Sequence, residues 1–253
     1  MNHDTRSFPI RPALGLAAAL VLAVGTLGSC DLLPTVSGSG MMTRSVYPVA
    51  ECTSIQASHA FQVRVVPDPV FSVAVSCDDN LPSYLVVRRE AGSSLRLGLA
   101  QGYHYAGVTV TAEVHMPVVQ AIDASGASSV RLDPGFSSTA PLTVVLSGAS
   151  RFDAPAVTLG AATFDLSGAS RVSCGGTATA LTVTASGASQ AALLDCAAGS
   201  AHVGLSGASQ VWVDVGSGPI TLSASGASTL YYGGSPSFAA CNLSGASRTV
   251  KVR

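Results

Sequence analysis

The tetrapeptide Ser-Gly-Ala-Ser recurs seven times, starting at Ser125, Ser147, Ser167, Ser186, Ser206, Ser225 and Ser244. After a first step of 22 residues the spacing settles at 19 or 20. A period of this length restricts the chain to a stack of similar units, since one unit cannot bury its apolar face alone. The flanks say what each unit is. Three residues before each copy stand Ile122, Val144, Phe164, Val183, Val203, Leu222 and Cys241, and one before it Ala124, Leu146, Leu166, Ala185, Leu205, Ala224 and Leu243. The residues between them are mostly polar or small. That alternation has the period of a strand. It resumes beyond the motif, where Arg151, Arg171, Gln190 and Gln210 precede Phe152, Val172, Ala191 and Val211. The expected fold is all-β, a parallel β-helix (β-solenoid) of about 20-residue coils stacked at the usual ~4.8 Å strand spacing.

The motif then marks a corner. Glycine reaches backbone angles that other residues avoid, and small neighbours stack without crowding. The alanine is expected to fill the narrow inside, with the serine hydroxyls bonding along the column. Cys241 belongs to an inward column and reads as a core residue.

Charge is sparse: only 11% of residues are charged and the formal net charge is −1. No basic field is available to neutralise phosphates, which argues against nucleic acid as a partner. Residues 1–29 have the features of a lipoprotein signal peptide, with Arg6 and Arg11 ahead of the apolar run Leu14–Leu27. Leu27-Gly28-Ser29-Cys30 resembles a bacterial lipobox, which makes Cys30 the expected lipidated mature N-terminus and places the protein on an envelope membrane after export. Residues 30–47, rich in Ser, Gly, Thr and Pro, are expected to be a flexible tether. Five further cysteines remain, Cys52, Cys77, Cys174, Cys196 and Cys241. Cys52 with Cys77 and Cys174 with Cys196 are the candidate bridges. No spacing resembles a metal site.

Residues 48–253 are expected to form one solenoid domain, irregular and decorated over 48–120 and regular over 121–253. Ile55–Val63 is a disguised repeat in which His59 replaces Gly and Phe61 replaces the second Ser. From Ser58 to Ser125 the distance matches about three coils, so continuous coils are expected, with Pro67-Asp68-Pro69 and Asp78–Pro82 as protruding loops.

The Ile55–Val65 segment, the Asp79-Asn80-Leu81 turn, the Val114-His115-Met116-Pro117 strand end and the Ser-Gly-Ala-Ser series together resemble the head GIN domain family of auto-transporter adhesins, over residues 47–250. That resemblance implies an exported, often lipid-anchored β-helical protein, and it transfers no catalytic residue.

The chemistry of the repeats reads as structural. A serine nucleophile needs one serine set apart by a base and an oxyanion hole, whereas here every coil carries equivalent serines. His202, in a regular coil, is expected to face solvent. Asp123 and Asp165 share an outward column but are separated by Val145. Two coils put them roughly 10 Å apart, too far to share a proton or a metal. The expected surface of interest is the column after the motif, where Arg151 lies next to Arg171 and Gln190 next to Gln210, with Trp212 and Tyr231 two positions further on. Planar polar groups beside aromatics suit a glycan or another polymer. The sequence therefore points to a monomeric, non-catalytic, lipid-anchored envelope protein without a cofactor, binding an unidentified glycan or protein or serving structurally. The alternative is a β-helical carbohydrate-active enzyme. At the C-terminus, Arg248, Lys251 and Arg253 read as charges that block strand addition to the last coil.

Overall fold

The computed structural model describes residues 33–252, which form a parallel β-solenoid. The signal peptide, Cys30 and Arg253 lie outside the described residues. Each regular coil contributes one strand before the motif and one after it, and each residue pairs with its equivalent one repeat away. Thus Ile122 pairs with Val144, Val144 with Phe164, and Phe164 with Val183. On the far side of the corner the column runs Val130, Phe152, Val172, Ala191, Val211 and Leu230. Both columns are buried. Phe152 and Phe164 come from adjacent coils and opposite walls, with ring centroids 6.2 Å apart. Each ring thereby spans the core where the facing column is aliphatic, which keeps the interior filled as the coils stack.

The corner differs from expectation in which residue turns inward. The alanine is exposed, whereas the second serine is fully buried in Ser128, Ser150, Ser170, Ser189, Ser209 and Ser228. Glycine sits at positive φ, +71° at Gly187, and this turns the next side chain outward. From Ser150 to Ser228 the buried hydroxyl is satisfied within its own corner, whereas Ser128 Oγ has no hydrogen-bond partner among the described residues. Ser170, Ser189 and Ser209 each donate to the carbonyl of their motif's first serine at 2.7 Å. Successive corners are joined by the alanine N–H, which donates to the glycine carbonyl of the previous coil (Ala188 to Gly168, 2.8 Å). In the disguised copy, His59 and Ala60 hold the turn at φ 60° and 57°, while Phe61 fills the inward position at 0% exposure.

The first half does not continue the stack in chain order. The coil of Ser54–Ala57 and Gln62–Pro67 pairs on one side with Ala121–Ala124 and Ser129–Leu132. On its other side it pairs with Ser94–Leu99 and Val110–Met116, strands that come later in sequence. One coil therefore separates those strands from the regular repeats, and the intervening chain closes the end of the solenoid. Leu85–Glu90 runs antiparallel to Ser94–Leu99, and Ser72–Asp78 antiparallel to Val110–Met116. Antiparallel strands end the parallel ladder and cover the edge on which a further coil would add.

The expected tether is also corrected. Thr35–Ser37 pairs with His104–Ala106, and Met42–Tyr47 pairs with Ser72–Asp78, so most of residues 35–47 belong to the domain. Backbone pairing supplies what apolar periodicity does not advertise here. Asp78–Pro82 likewise is not a loose protrusion. Asp78 is 1% exposed and Leu81 fully buried. The Asp78 carboxylate accepts the N–H groups of Thr109 (2.7 Å) and Gly40 (2.8 Å), which hold its pKa below the ordinary range. It locks the N-terminal segment onto the end cap.

At the opposite end, Ser237–Leu243 and Arg248–Lys251 form the last coil. Cys241 occupies the predicted column, paired with Leu222, but is exposed because no coil covers it among the described residues. Phe238 and Leu243 are exposed there too.

Candidate functional site

The strands after the corners stack into one wall, and its outward residues divide into three zones. The first is a ladder of charge pairs. Glu113 accepts from Arg44 (3.1 Å) and Arg64 (3.2 Å), Arg64 also reaches Asp133 at 2.6 Å, and Arg131 reaches Asp153 at 2.5 Å. His115 lies 3.1 Å from Asp68 and 3.4 Å from Glu113. The Arg44 hydrogen bond, then that of His115, lowers the pKa of Glu113.

The second zone is a groove of about 610 Å³. Its origin is visible in one outward column, which runs Arg131, Asp153, Ser173, Ala192, Trp212, Tyr231. Ser173 and Ala192 are short, so two successive coils leave a trough between Asp153 and Trp212. Arg151, Arg171 and Gln190 line the side nearest the corner. Opposite them, the register slips between Leu193 and Ala197, and Leu194 and Asp195 bulge out as a lip. Arg171 Nε donates to Gln190 Oε1 at 3.3 Å.

The third zone is aromatic. Trp212 and Tyr231 stack with centroids 4.8 Å apart and planes inclined by 5°. Tyr231 covers one face of the indole. The other face is turned toward Ala192, whose methyl is too small to cover it, so the indole forms the end wall of the groove. Trp212 at the same time is braced from behind and fixed in orientation.

Of the six residues singled out from sequence, the structure brings Arg151, Arg171, Gln190 and Trp212 into this groove. Gln210 stacks beside Gln190 and Tyr231 backs Trp212, both just outside it. Asp153, Ser173, Ala192, Leu194 and Asp195 were not anticipated. The signal for the floor was available, because Ser173 and Ala192 interrupt a column of long side chains at the repeat spacing.

The two arginines differ from those of the charge-pair zone. Arg44, Arg64 and Arg131 each meet a carboxylate, whereas among the described residues none lies within ion-pair distance of Arg151 or Arg171. Two like charges on adjacent coils, ~5 Å apart in water, repel by about 1 kcal/mol. The fold tolerates this at the rim of its groove while neutralising Arg44, Arg64 and Arg131 in the neighbouring zone.

His59 Nδ1 is 2.9 Å from Ser58 Oγ, and burial, then the nearby Arg96 charge, lowers its pKa. His202 is exposed. Asp123, Val145 and Asp165 share a column as expected. No group of three His, Cys, Asp or Glu side chains among the described residues is arranged to hold a metal. No described helix is long and apolar enough to cross a membrane. The buried thiols of Cys174 and Cys196 meet in the core. A hydrogen bond to Cys196, reinforced by burial, pushes the Cys174 thiol up. Cys52 and Cys77 are not brought together, since Cys52 lies beside Arg89 while Cys77 pairs with Thr43 and Val110. All five are free thiols.

Stacked coils with a closed end and a groove on one wall define a β-solenoid protein that presents a surface. Residues 51–236 match the family described as "Putative auto-transporter adhesin, head GIN domain", and the chain belongs to that family. Its fold is shared with solved structures at low identity. A "putative lipid binding protein" from Parabacteroides distasonis is 14% identical, with a TM-score of 0.70 over 87% of this chain and all of the other. A "putative adhesin" from Bacteroides fragilis is 15% identical, with a TM-score of 0.69 over 85% of this chain and 97% of the other. A third, a "putative adhesin" from Parabacteroides merdae, is 12% identical, with a TM-score of 0.59 over 87% of this chain and all of the other. No curated protein matches the chain in sequence.

Proposed function

We propose that this is a non-catalytic protein of the bacterial cell envelope, adhesin-like in role, whose groove binds a glycan. Residues 1–29 direct export, lipid on Cys30 holds the protein to a membrane, and the solenoid carries the groove as a monomer. The observation that carries the reading is the braced face of Trp212 at the end of an open trough rimmed by Arg151, Arg171 and Gln190. An aromatic face and planar polar groups are what a sugar ring needs, apolar C–H surface against the indole and hydroxyls at the rim. The adhesin names of the family and of structural relatives agree with a binding role.

Binding without turnover fits the state of Asp153 and of the corner serines. Asp153 is engaged by Arg131, and the corner serines are spent on their own turns. Trp212 is the sole tryptophan, so intrinsic fluorescence reports on the groove directly. Titration with a panel of neutral and acidic oligosaccharides should shift or quench that emission saturably, and Trp212→Ala should remove retention on the matching immobilised glycan. No saturable response across the panel would refute glycan binding. Release of new reducing or unsaturated chain ends would replace it with the carbohydrate-active enzyme.

A further inference from the structure

We infer that the groove selects a sugar ring bearing a carboxylate, as in a polyuronate, with the ring on Trp212 and the carboxylate on Arg151 and Arg171. This rests on the groove being a glycan site and names what it prefers.

The argument starts from the spacing. Between the Trp212 indole and the Asp153 side chain lie the two coils of Ser173 and Ala192, so the two side chains stand three strand repeats apart, ~14 Å. A ring lying against the indole fits that gap with room for its substituents. Asp153 at the far wall is already held by Arg131, so the end opposite Trp212 is neutralised in advance. The arginines of this groove that meet no carboxylate within ion-pair distance among the described residues are Arg151 and Arg171, side by side on the wall nearest the corner and across the trough from Asp195 on the lip. Gln190 orients the second of them through Arg171 Nε, which leaves the terminal guanidinium nitrogens free to donate. Guanidinium groups bind carboxylates through paired N–H donors in one plane, a match that a neutral hydroxyl does not offer.

The repeat makes the site suited to a chain rather than a monosaccharide. The trough opens toward solvent, and the wall continues past it to the charge pairs on one side and to Tyr231 on the other. A polymer crossing the wall would place one acidic ring in the trough, with its neighbours over flatter surface.

The test uses Trp212 emission and calorimetry on the full chain with three matched probes: an oligogalacturonate, a neutral galactose oligomer of equal length, and its sulfated counterpart. The oligogalacturonate should bind at least tenfold more tightly than the neutral oligomer, and more tightly than the sulfated one. Its affinity should fall steeply between low and high salt. Arg151→Gln and Arg171→Gln should each weaken the oligogalacturonate about tenfold and the neutral oligomer by clearly less, whereas Trp212→Ala should weaken both to a similar degree. Both arginines are exposed, so unchanged thermal melts are expected and confirm that each variant folds. Equal affinity for acidic and neutral probes, or a preference for the sulfated one, would overturn the carboxylate assignment while leaving glycan binding intact. Failure of all three probes to bind would overturn both.

Discussion

Two corner glycines offer a controlled measurement of how tightly the coils stack. Gly148 has φ +70° and Gly187 φ +71°, so a side chain at either pays the same backbone strain. For alanine that is about 1–2 kcal/mol. They differ in space. A Cβ on Gly148 would meet Gly126 N at 3.4 Å, the edge of ordinary contact. A Cβ on Gly187 would lie 2.5 Å from the Gly168 carbonyl oxygen, which is backbone and cannot swing aside. That oxygen also accepts from Ala188 N–H at 2.8 Å, so moving it roughly 0.9 Å weakens a ladder bond worth about 0.5–1.5 kcal/mol. Gly148→Ala should therefore lose about 1–2 kcal/mol and Gly187→Ala about 1.5–3.5 kcal/mol. For a domain of this size the extra loss lowers Tm by about 1–6 °C. Thermal unfolding followed by circular dichroism, with parent and both variants in one buffer, reads the difference. Equal losses, or a larger loss at Gly148, would refute stacking contact as the reason glycine occupies this column.

Oxidation by a small-molecule disulfide should join Cys174 to Cys196 and leave Cys52 and Cys77 unlinked, as peptide mapping under non-reducing conditions would show; a Cys52–Cys77 link would contradict the core packing. The Asp78 carboxylate has a lowered pKa in the folded protein, so its contribution is present above its unfolded pKa and fades as pH falls through the folded value. Asp78→Asn should lower Tm at pH 7 and flatten the acid limb of the stability curve, and an unchanged limb would show that the Gly40 and Thr109 bonds do not set it. Replacing Arg248, Lys251 and Arg253 together with serine should produce concentration-dependent oligomers in light scattering, because clustered like charges in the sequence oppose strand addition; a variant as monomeric as the parent would remove that role. Cys30→Ala should shift the protein from the detergent phase to the aqueous phase, and a mature N-terminus mapped by mass spectrometry to any other residue would remove the lipid anchor.

Much of the fold was legible because a solenoid turns sequence period into space. Once a repeat of 19 or 20 residues equals one coil, residues one period apart must be stacked neighbours. That reasoning placed Arg151 beside Arg171, Gln190 beside Gln210 and Trp212 beside Tyr231, all of them paired in the structure. It also identified the buried columns from alternation alone.

What the tertiary structure decided falls where neighbours in space are not one period apart. The coil of Ser54–Ala57 lies between Ala121–Ala124 and Ser94–Leu99, an order set by non-local strand pairing and by the need to close an edge, neither of which leaves a period in the chain. The second serine turns inward because glycine's positive φ rotates the corner, and composition could not choose between Ala and Ser. Met42–Tyr47 became a strand through backbone pairing with Ser72–Asp78, despite a polar sequence. The groove required three things at once: short side chains at Ser173 and Ala192, a bulge at Leu194 and Asp195, and a tryptophan braced from behind. Sequence determined which residues share a column, whereas depth along that column came from packing.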